Sequence, residues 1–258
     1  LIEQLAAIPG LRDLALTTNG YLLEKQASAL CDAGLQRITV SLDSLDEEVF
    51  ARMSGRDFGP QRTLEGIEAA DRAGMRPIKI NCVVQRGVND HGFVDLARAF
   101  RGTGHIVRFI EFMDVGTLNG WELSQVVSAA EIVERIGAEF PLEPVDSNYR
   151  GEVANRYRYS DGSGEIGIIA SVSAPFCGDC TRARLTIEGK LVTCLFAADG
   201  ADLRTPLRSG ASDAELRDLI DTIWSRRTDR YSEQRAALTE GGDPSARKAK
   251  IEMYQIGG

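Results

Sequence analysis

The fold follows from the stretch Leu14-Ala15-Leu16-Thr17-Thr18-Asn19-Gly20 and from what comes directly after it. A short apolar run that ends in Asn-Gly predicts a strand, and the helical periodicity over residues 22–33, closed by Gly34, predicts the helix that follows it. Further strands are predicted over residues 38–42, 77–84 and 106–112, and further helices over residues 62–73 and 93–101. Strand and helix in alternation predict parallel β/α units of the α/β class, arranged either as a barrel or as a doubly wound sheet.

Polar side chains stand at or near the ends of these strands, where parallel β/α folds bind their ligands. Thr17 and Ser41 are candidates, although hydroxyls at such positions also serve as ordinary strand-end or helix-capping groups. Lys79 lies inside the apolar run Ile78-Lys79-Ile80 and should point inward in a barrel. A buried ammonium group needs an anionic partner or a function, so Lys79 is predicted to contact a ligand.

The pattern changes after residue 112. A helix is predicted over residues 129–140, with Ser128 as its N-cap, and antiparallel strands are predicted within residues 145–196. Two late helices, over residues 203–208 and 213–226, precede a charged stretch from 229 to 250 that we expect to be partly mobile. The sequence is therefore divided into two domains, residues 1–127 and 128–258.

Three of the five cysteines lie close together in the sequence: Cys177, Cys180 and, thirteen intervening residues later, Cys194. Strands over residues 181–187 and 190–193, joined by Glu188-Gly189, form a predicted hairpin that brings the third sulfur back to the first two. The spacing therefore predicts a three-thiolate site.

No fourth ligand is evident for this site, because both histidines are distant in sequence and the other two cysteines fall in a predicted helix and a predicted strand. An iron–sulfur cluster with one open position, a zinc site completed by Asp179 or water, and a reduced cysteine pair without metal all remain open. Arg182 and Arg184 alternate along the following strand, where their guanidinium groups could bind a phosphate-bearing ligand.

The bulk composition excludes several classes of protein. A formal net charge of −8 argues against broad nucleic-acid binding, and a run of about 18 apolar residues, as a membrane helix needs, is not found. An odd number of cysteines without an export signal favours a reducing cytoplasm and metal ligation over a disulfide framework. The chain begins with Leu1 within a helical pattern, so we expect an N-terminal segment to precede it.

Several motifs together resemble the GTP 3′,8-cyclase family, radical S-adenosylmethionine enzymes of molybdenum cofactor biosynthesis. They are Thr17-Thr18-Asn19-Gly20, Ser41-Leu42-Asp43-Ser44-Leu45-Asp46, Lys79-Ile80-Asn81, Arg108-Phe109-Ile110-Glu111-Phe112-Met113, the three cysteines with their Arg-x-Arg, and the terminal Gly257-Gly258. The resemblance covers essentially the whole chain.

The resemblance implies a partial (β/α)6 radical-SAM-type barrel, lacking its first strands, in residues 1–127, and an α+β domain in residues 128–258. In that second domain the three cysteines would hold a 4Fe-4S cluster whose open iron faces GTP. By the same resemblance, GTP is contacted by Thr17, Lys79, Arg182, Ala183 and Arg184, and S-adenosylmethionine by Ser41 and Met113. The Gly-Gly tail would reach into the pocket.

The implied reaction is a radical one, in which a 5′-deoxyadenosyl radical takes hydrogen from C3′ of GTP so that C3′ attacks C8. The implied partners are GTP, an electron donor and the next enzyme of the pathway; a homodimer is compatible with the sequence but not determined by it. The family's N-terminal Cys-x3-Cys-x2-Cys, which holds the second 4Fe-4S cluster and cleaves S-adenosylmethionine, has no counterpart here. We therefore expect this polypeptide by itself not to start the radical reaction.

Two rival interpretations remain. The first is a zinc-binding module on a barrel fragment. The second is a barrel lyase that uses Lys79 as a Schiff-base nucleophile.

Overall fold

A mostly parallel sheet forms the centre of the first of two units in the computed structural model, which describes residues 1–240 and 250–256. The first unit comprises Leu1–Phe112 and Leu123–Ser173, and the second comprises Met113–Glu122 and Ala174–Gly258. These units are defined by packing. The functional division predicted at residues 127 and 128 stays a prediction.

The seven strands of the sheet run in the order β1-β2-β3-β4-β7-β6-β5. Their bounds are Ala15–Thr18 (β1), Arg37–Ser41 (β2), Lys79–Val84 (β3), Ile106–Glu111 (β4), Leu142–Val145 (β5), Asn155–Tyr159 (β6) and Glu165–Ile169 (β7). Strands β1 to β4 are parallel neighbours, and β7 pairs parallel with β4. The predicted α/β class with parallel units is therefore confirmed.

Strand β7 differs from the prediction, which placed it among purely antiparallel strands. It pairs antiparallel with β6 on one side but parallel with β4 on the other. Its residues Ile166 to Ile169 are all buried, as expected for a central strand that is covered on both faces. The sequence pattern of a buried strand does not reveal its neighbours.

The helices of the first unit alternate with the parallel strands. They are α1 (Ile2–Ala6), α2 (Leu23–Asp32), α3 (Glu47–Ser54), α4 (Pro60–Arg72), α5 (Phe93–Phe100) and α6 (Ala129–Glu139). The N-cap predicted for α6 is confirmed, because the side chain of Ser128 accepts a hydrogen bond from the N–H of Glu131 at 3.2 Å. Helix α3 was not predicted; Asp46 caps its start, and Gly55, at φ +64°, ends it.

Alternation along the strands separates the two faces of the sheet. In β3 the buried residues Ile80, Cys82 and Val84 belong to the hydrophobic core formed with the helices, whereas Lys79, Asn81 and Val83 are only partly buried. Strand β4 follows the same pattern. The second face of the sheet is thus free to present polar side chains to a ligand.

The second unit contains a three-stranded antiparallel sheet in the order β10-β9-β8, formed by Arg184–Leu185 (β8), Lys190–Val192 (β9) and Ala201–Asp202 (β10). The predicted turn at Glu188-Gly189 is confirmed: Gly189 has φ +80°, and its N–H donates to the carbonyl of Thr186 at 2.9 Å. The unit also contains α7 (Arg204–Arg208), α8 (Asp213–Ser225) and α9 (Tyr231–Glu240).

Helix α9 lies in the charged stretch that was expected to be partly mobile. The ring of Tyr231 stacks on Phe196 at 4.7 Å between centroids, and Arg235 forms an ion pair with Asp114, so partners distant in sequence hold this helix. The Gly257-Gly258 tail lies outside the described residues. Among those described, no helix combines the length and the apolar character that crossing a bilayer requires.

Candidate functional site

Thr17 and Lys79 lie on the same face of the parallel sheet. In the strand register Thr17 is opposite Thr39, and Thr39 is opposite Lys79, so these three residues form a row across β1, β2 and β3. Neighbouring strands are about 4.8 Å apart, which places the backbones of Thr17 and Lys79 roughly 10 Å from each other. The sheet thus brings together two of the residues predicted to contact GTP.

Lys79 lines a cavity of about 470 Å³ that also includes Arg37 and Arg108. Burial lowers the pKa of Lys79, and the charges of Arg108 and Arg37 lower it further, while Glu152 and Asp13 oppose the shift. Within the described part of the chain, Lys79 has no ion-pair partner, whereas Arg37 is paired with Asp13. The cavity therefore contains a positive charge that a bound anion could neutralise.

Arg108 is a second cation on this face, and the sequence analysis gave it no role. Its Nε donates to Oδ1 of Asn81 at 2.8 Å, and its Nη2 lies 3.5 Å from Oγ1 of Thr39, so both of these partners are neutral. Burial lowers the pKa of the guanidinium. The signal that could have identified it is the same as for Lys79: a cation at an inward position of an apolar strand.

Ser41, predicted to contact S-adenosylmethionine, ends β2 and lies opposite Asn81 in the register. Just beyond it, Oδ1 of Asp43 accepts a hydrogen bond from the N–H of Val83 at 2.8 Å, where the backbone pairing between β2 and β3 has ended. Burial raises the pKa of Asp43 to about 6. The carboxyl end of β2 is therefore closed by a carboxyl group whose pKa is raised by burial.

Met113, the second residue predicted to contact S-adenosylmethionine, follows β4 and belongs to the second unit. Its carbonyl accepts a hydrogen bond from Nδ2 of Asn119 at 3.0 Å. The next residue, Asp114, is buried and accepts hydrogen bonds from Tyr231, Arg235 and Lys250. This buried charge cluster fixes the backbone beside Met113.

The predicted cysteine site lies wholly in the second unit. Cys177 begins a short 3-10 turn, and the N–H of Cys180 donates to the carbonyl of Cys177 at 3.2 Å. The guanidinium of Arg182 donates to the sulfur of Cys180, from Nε at 3.3 Å and from Nη2 at 3.2 Å. Burial by itself would raise the pKa of Cys180, but the hydrogen bonds from Arg182 lower it overall. Arg182 thus favours the thiolate, which is the form that binds metals.

Cys194 belongs to the same electrostatic neighbourhood. Burial raises the pKa of its thiol, and Asp229, Cys177 and Cys180 raise it further. The three sulfurs are therefore within electrostatic range of each other. No group of three or more His, Cys, Asp or Glu side chains in the described ranges is arranged to hold a metal ion.

The Arg-x-Arg that follows the cysteines lies only partly in a strand, because β8 begins at Arg184 and not at residue 181 as predicted. Arg182 and Arg184 are half-buried, and Ala183 between them is exposed. Burial lowers the pKa of Arg184, as does Arg182, while Cys180 and Cys194 oppose the shift. Two guanidinium groups consequently lie beside sulfurs that become anionic when they bind metal.

Comparisons with known proteins identify the family. Residues 1–100 match the family model of the radical SAM superfamily, and residues 105–233 match the model described as Molybdenum Cofactor Synthesis C. The radical SAM superfamily implies S-adenosylmethionine and a 4Fe-4S cluster as cofactors.

Several relatives that match the whole chain are named GTP 3′,8-cyclase. The GTP 3′,8-cyclase of Xanthomonas axonopodis pv. citri is 53% identical over 258 residues, which are 100% of this chain and 75% of the relative. The GTP 3′,8-cyclase of Acidothermus cellulolyticus is 50% identical over 277 residues, with 100% and 76% covered, and that of Staphylococcus aureus is 43% identical over 259 residues, with 100% and 75% covered. The chain belongs to the GTP 3′,8-cyclase family of radical S-adenosylmethionine enzymes in molybdenum cofactor synthesis.

Proposed function

We propose that this chain provides the GTP-binding face and the substrate-side cluster of a GTP 3′,8-cyclase, the radical enzyme that converts GTP to 3′,8-cyclo-7,8-dihydro-GTP. The observation that carries the proposal is the pair of half-buried cations, Lys79 and Arg108, on one face of the sheet. Neither forms an ion pair within residues 1–240 and 250–256.

A nucleoside triphosphate is the ligand that suits this face. Partly buried positive charge without a counter-ion destabilises the free protein, and an anion that binds there removes the cost. Arg108 offers a guanidinium fork for phosphate oxygens, Lys79 offers a mobile point charge, and the hydroxyl of Thr17 lies in the same row as Lys79. None of these three side chains is chemically altered when it binds phosphate.

The finer architecture is also proposed. Strands β1 to β4 would form part of a (β/α)6 barrel, with the polar face inward and the core-forming face against the helices. Ser41 is the last residue of β2, and Met113 lies just after β4. Both would then contact S-adenosylmethionine, because the carboxyl ends of the strands form the ligand-binding rim of such barrels. Residues 128–258 would form the cluster-bearing and substrate-binding domain.

The sulfurs of Cys177, Cys180 and Cys194 would hold a 4Fe-4S cluster. Their chemistry fits this group: they lie within electrostatic range of each other, and Arg182 favours the thiolate form of Cys180. Thiolates that hold a cluster bind different irons, so they need not converge on one point as the ligands of a single zinc ion do. When bound, the cluster supplies an iron with an open position to which a purine nucleotide can coordinate.

The residues of the Arg-x-Arg would meet the nucleotide beside that cluster. Arg182 and Arg184 offer guanidinium groups that suit phosphate oxygens, and Ala183 between them is exposed. An electron donor and the next enzyme of the pathway are the further partners that we propose.

The test uses the 258-residue chain itself. The chain is reconstituted with iron and sulfide under anaerobic conditions, after which bound iron, acid-labile sulfide and zinc are measured and GTP binding is determined by equilibrium dialysis. We expect iron and sulfide in equal amounts, together with GTP binding. Stoichiometric zinc that iron does not replace would overturn the proposal in favour of a zinc module.

Cysteine variants make the test specific. Cys177→Ser, Cys180→Ser and Cys194→Ser should each lose most of the bound iron. Cys31→Ser is the matched control, because Cys31 donates to the carbonyl of Ala73 at 3.2 Å in the first unit and should not affect iron content. Equal iron in all four variants would also overturn the proposal.

A further inference from the structure

Arg227 and Asp229, which follow helix α8, connect both ends of the predicted cysteine site. Nη1 of Arg227 donates to the carbonyl oxygen of Cys180 at 2.6 Å, and Nε of Arg227 donates to Oδ2 of Asp229 at 3.2 Å. The same Oδ2 accepts a hydrogen bond from Oγ1 of Thr193 at 2.7 Å. A continuous chain of hydrogen bonds therefore runs from Cys180 to Thr193, the residue before Cys194.

We name this series of hydrogen bonds the Arg227–Asp229 bridge. It spans a part of the site that the hairpin does not. The backbone pairing between β8 and β9 ends at Arg184 and Val192, so it holds neither Cys180 nor Cys194. The bridge relates the two cysteine segments through side chains, in addition to the loops beyond the paired residues. The bridge adds a constraint from a later segment, since its contacts join residues 36 and 47 positions apart in the chain.

The geometry of the bridge is itself fixed. The guanidinium of Arg227 lies over the ring of Trp224 at 4.8 Å, and the side chains of Arg227 and Asp229 are 12% and 30% exposed. Exposed ion pairs contribute little, but a partly buried guanidinium that makes two hydrogen bonds and a ring contact has little freedom to move. Both residues also line a cavity of about 400 Å³ beside Cys177 and Cys180.

We infer that Arg227 and Asp229 are positioning residues for the iron–sulfur cluster: they hold the Cys180 loop and the Cys194 strand end at the separation that the cluster needs. This inference rests on the proposed function, because it requires that the three cysteines hold a cluster. Neither residue is expected to bind iron. Their effect should appear in how firmly the cluster is held and in its electronic environment, since backbone hydrogen bonds and orientation of the ligands tune such centres.

The experiment uses the 258-residue chain with its reconstituted cluster. Three quantities are measured: the rate of iron loss to a chelator, the electron paramagnetic resonance spectrum of the reduced cluster, and its midpoint potential. Asp229→Ala and Thr193→Val should each lose iron at least tenfold faster than the unaltered chain and show a changed spectrum. Thr193→Ser keeps the hydroxyl and should restore the behaviour of the unaltered chain.

Controls separate positioning from general destabilisation. Asp221→Ala removes an exposed carboxylate of α8 and should change none of the three quantities. Thermal unfolding of each variant without iron shows whether it folds. If Asp229→Ala does not fold, the comparison of Thr193→Val with Thr193→Ser decides, because the first variant replaces only the bridging hydroxyl and the second keeps that hydroxyl while it removes the methyl group.

The outcomes distinguish the two proposals. An unaltered chain that takes up no cluster would overturn the proposed function and this inference with it. An unaltered chain that holds a cluster, with Asp229→Ala and Thr193→Val equal to it in iron loss, spectrum and potential, would overturn the positioning role alone.

Discussion

Lys79 and Arg108 occupy the same face of the neighbouring strands β3 and β4, and the charge of Arg108 adds to burial in lowering the pKa of Lys79. Two like charges are thus kept close together, and no carboxylate forms an ion pair with either of them in the described residues. Partly buried like charges without an ion pair cost stability when no ligand is bound. Binding sites are typically places where a protein has lost stability in favour of function.

The first prediction is that Lys79→Met makes the unliganded chain more stable and GTP binding weaker. The substitution removes a partly buried charge and should raise the free energy of unfolding by on the order of 1 kcal/mol. Loss of a charge-assisted phosphate contact, worth about 1.5–3 kcal/mol, should weaken GTP binding roughly tenfold to a hundredfold. Urea unfolding and equilibrium dialysis measure the two effects.

The control for this prediction is Arg158→Met. Arg158 lies in the same sheet but is paired with Glu143 at the surface, at 2.8 Å, so its loss should change either quantity by less than about 0.5 kcal/mol. A Lys79→Met chain that unfolds more easily and binds GTP unchanged would show that Lys79 has a structural role.

The second prediction concerns Arg184, half-buried beside the cysteines. In the chain with its cluster, Arg184→Ala should weaken GTP binding by about 1.5–3 kcal/mol, and the loss should shrink as salt rises, because ions screen the contact. Arg217→Ala, on the exposed side of α8, is the charge-matched control. GTP affinity that is equal in the two variants at low salt would count against a nucleotide contact.

The parts of the fold that could be predicted from the sequence are those that a single local sequence pattern is sufficient to specify. Strands β2 to β4 show apolar residues that become buried, and the Glu188-Gly189 turn needs a residue with positive φ, which glycine supplies. Helix α3 was missed because Phe50 is its only buried residue among those described, which leaves too weak an apolar stripe to indicate a helix.

The parts of the site that could not be predicted depend on partners far apart in the chain. The neutral hydrogen-bond partners of Arg108, Asn81 and Thr39, belong to two other strands, and no local pattern brings the three strands together. The partners of Asp114 lie as far as 117 and 136 residues away. The partly buried position of Lys79 could be predicted because its apolar neighbours, Ile78 and Ile80, are adjacent in sequence.

The third prediction is a pH dependence that originates at Asp43. Its pKa is raised to about 6 by burial, so the folded chain holds this proton at pH values where the unfolded chain has released it. The stabilising contribution is complete below pH about 4, the usual value for aspartate, and is lost as the pH rises through about 6. Asp43→Asn keeps the oxygen that accepts from Val83 and carries no charge at any pH.

Asp43→Asn should therefore be more stable than the unaltered chain at pH 8, by about 3 kcal/mol, and equal to it near pH 4. Urea unfolding across this range measures the difference, in which the contributions of the other titrating groups cancel. Asp46→Asn serves as the control, since Asp46 is exposed and accepts a similar backbone hydrogen bond at 2.9 Å. A difference between the unaltered chain and Asp43→Asn that is the same at pH 4 and pH 8 would contradict the assignment.

The fourth prediction is that Asp114 stabilises the second unit through its buried charge. Burial by itself would raise the pKa of Asp114, but hydrogen bonds from Lys250 and Tyr231 and the charge of Arg235 lower it overall. Arg235 is only 3% exposed, so removing the carboxylate beside it leaves a buried charge without that partner. Asp114→Ala should then lower the free energy of unfolding by about 3–5 kcal/mol at pH 7.

The sign of the pH effect makes this prediction specific. A carboxyl group with a lowered pKa stabilises the folded chain above the unfolded value, near pH 4, and the contribution is lost as the pH falls through the folded value. The stability of Asp114→Ala should therefore approach that of the unaltered chain in acid, opposite to the behaviour expected at Asp43. The double variant with Lys250→Met should be less destabilised than the sum of the two single variants, because both remove the same 2.7 Å contact. Additive effects, or a deficit in Asp114→Ala that persists unchanged at pH 3, would show that the cluster is held by packing rather than by the charge of Asp114.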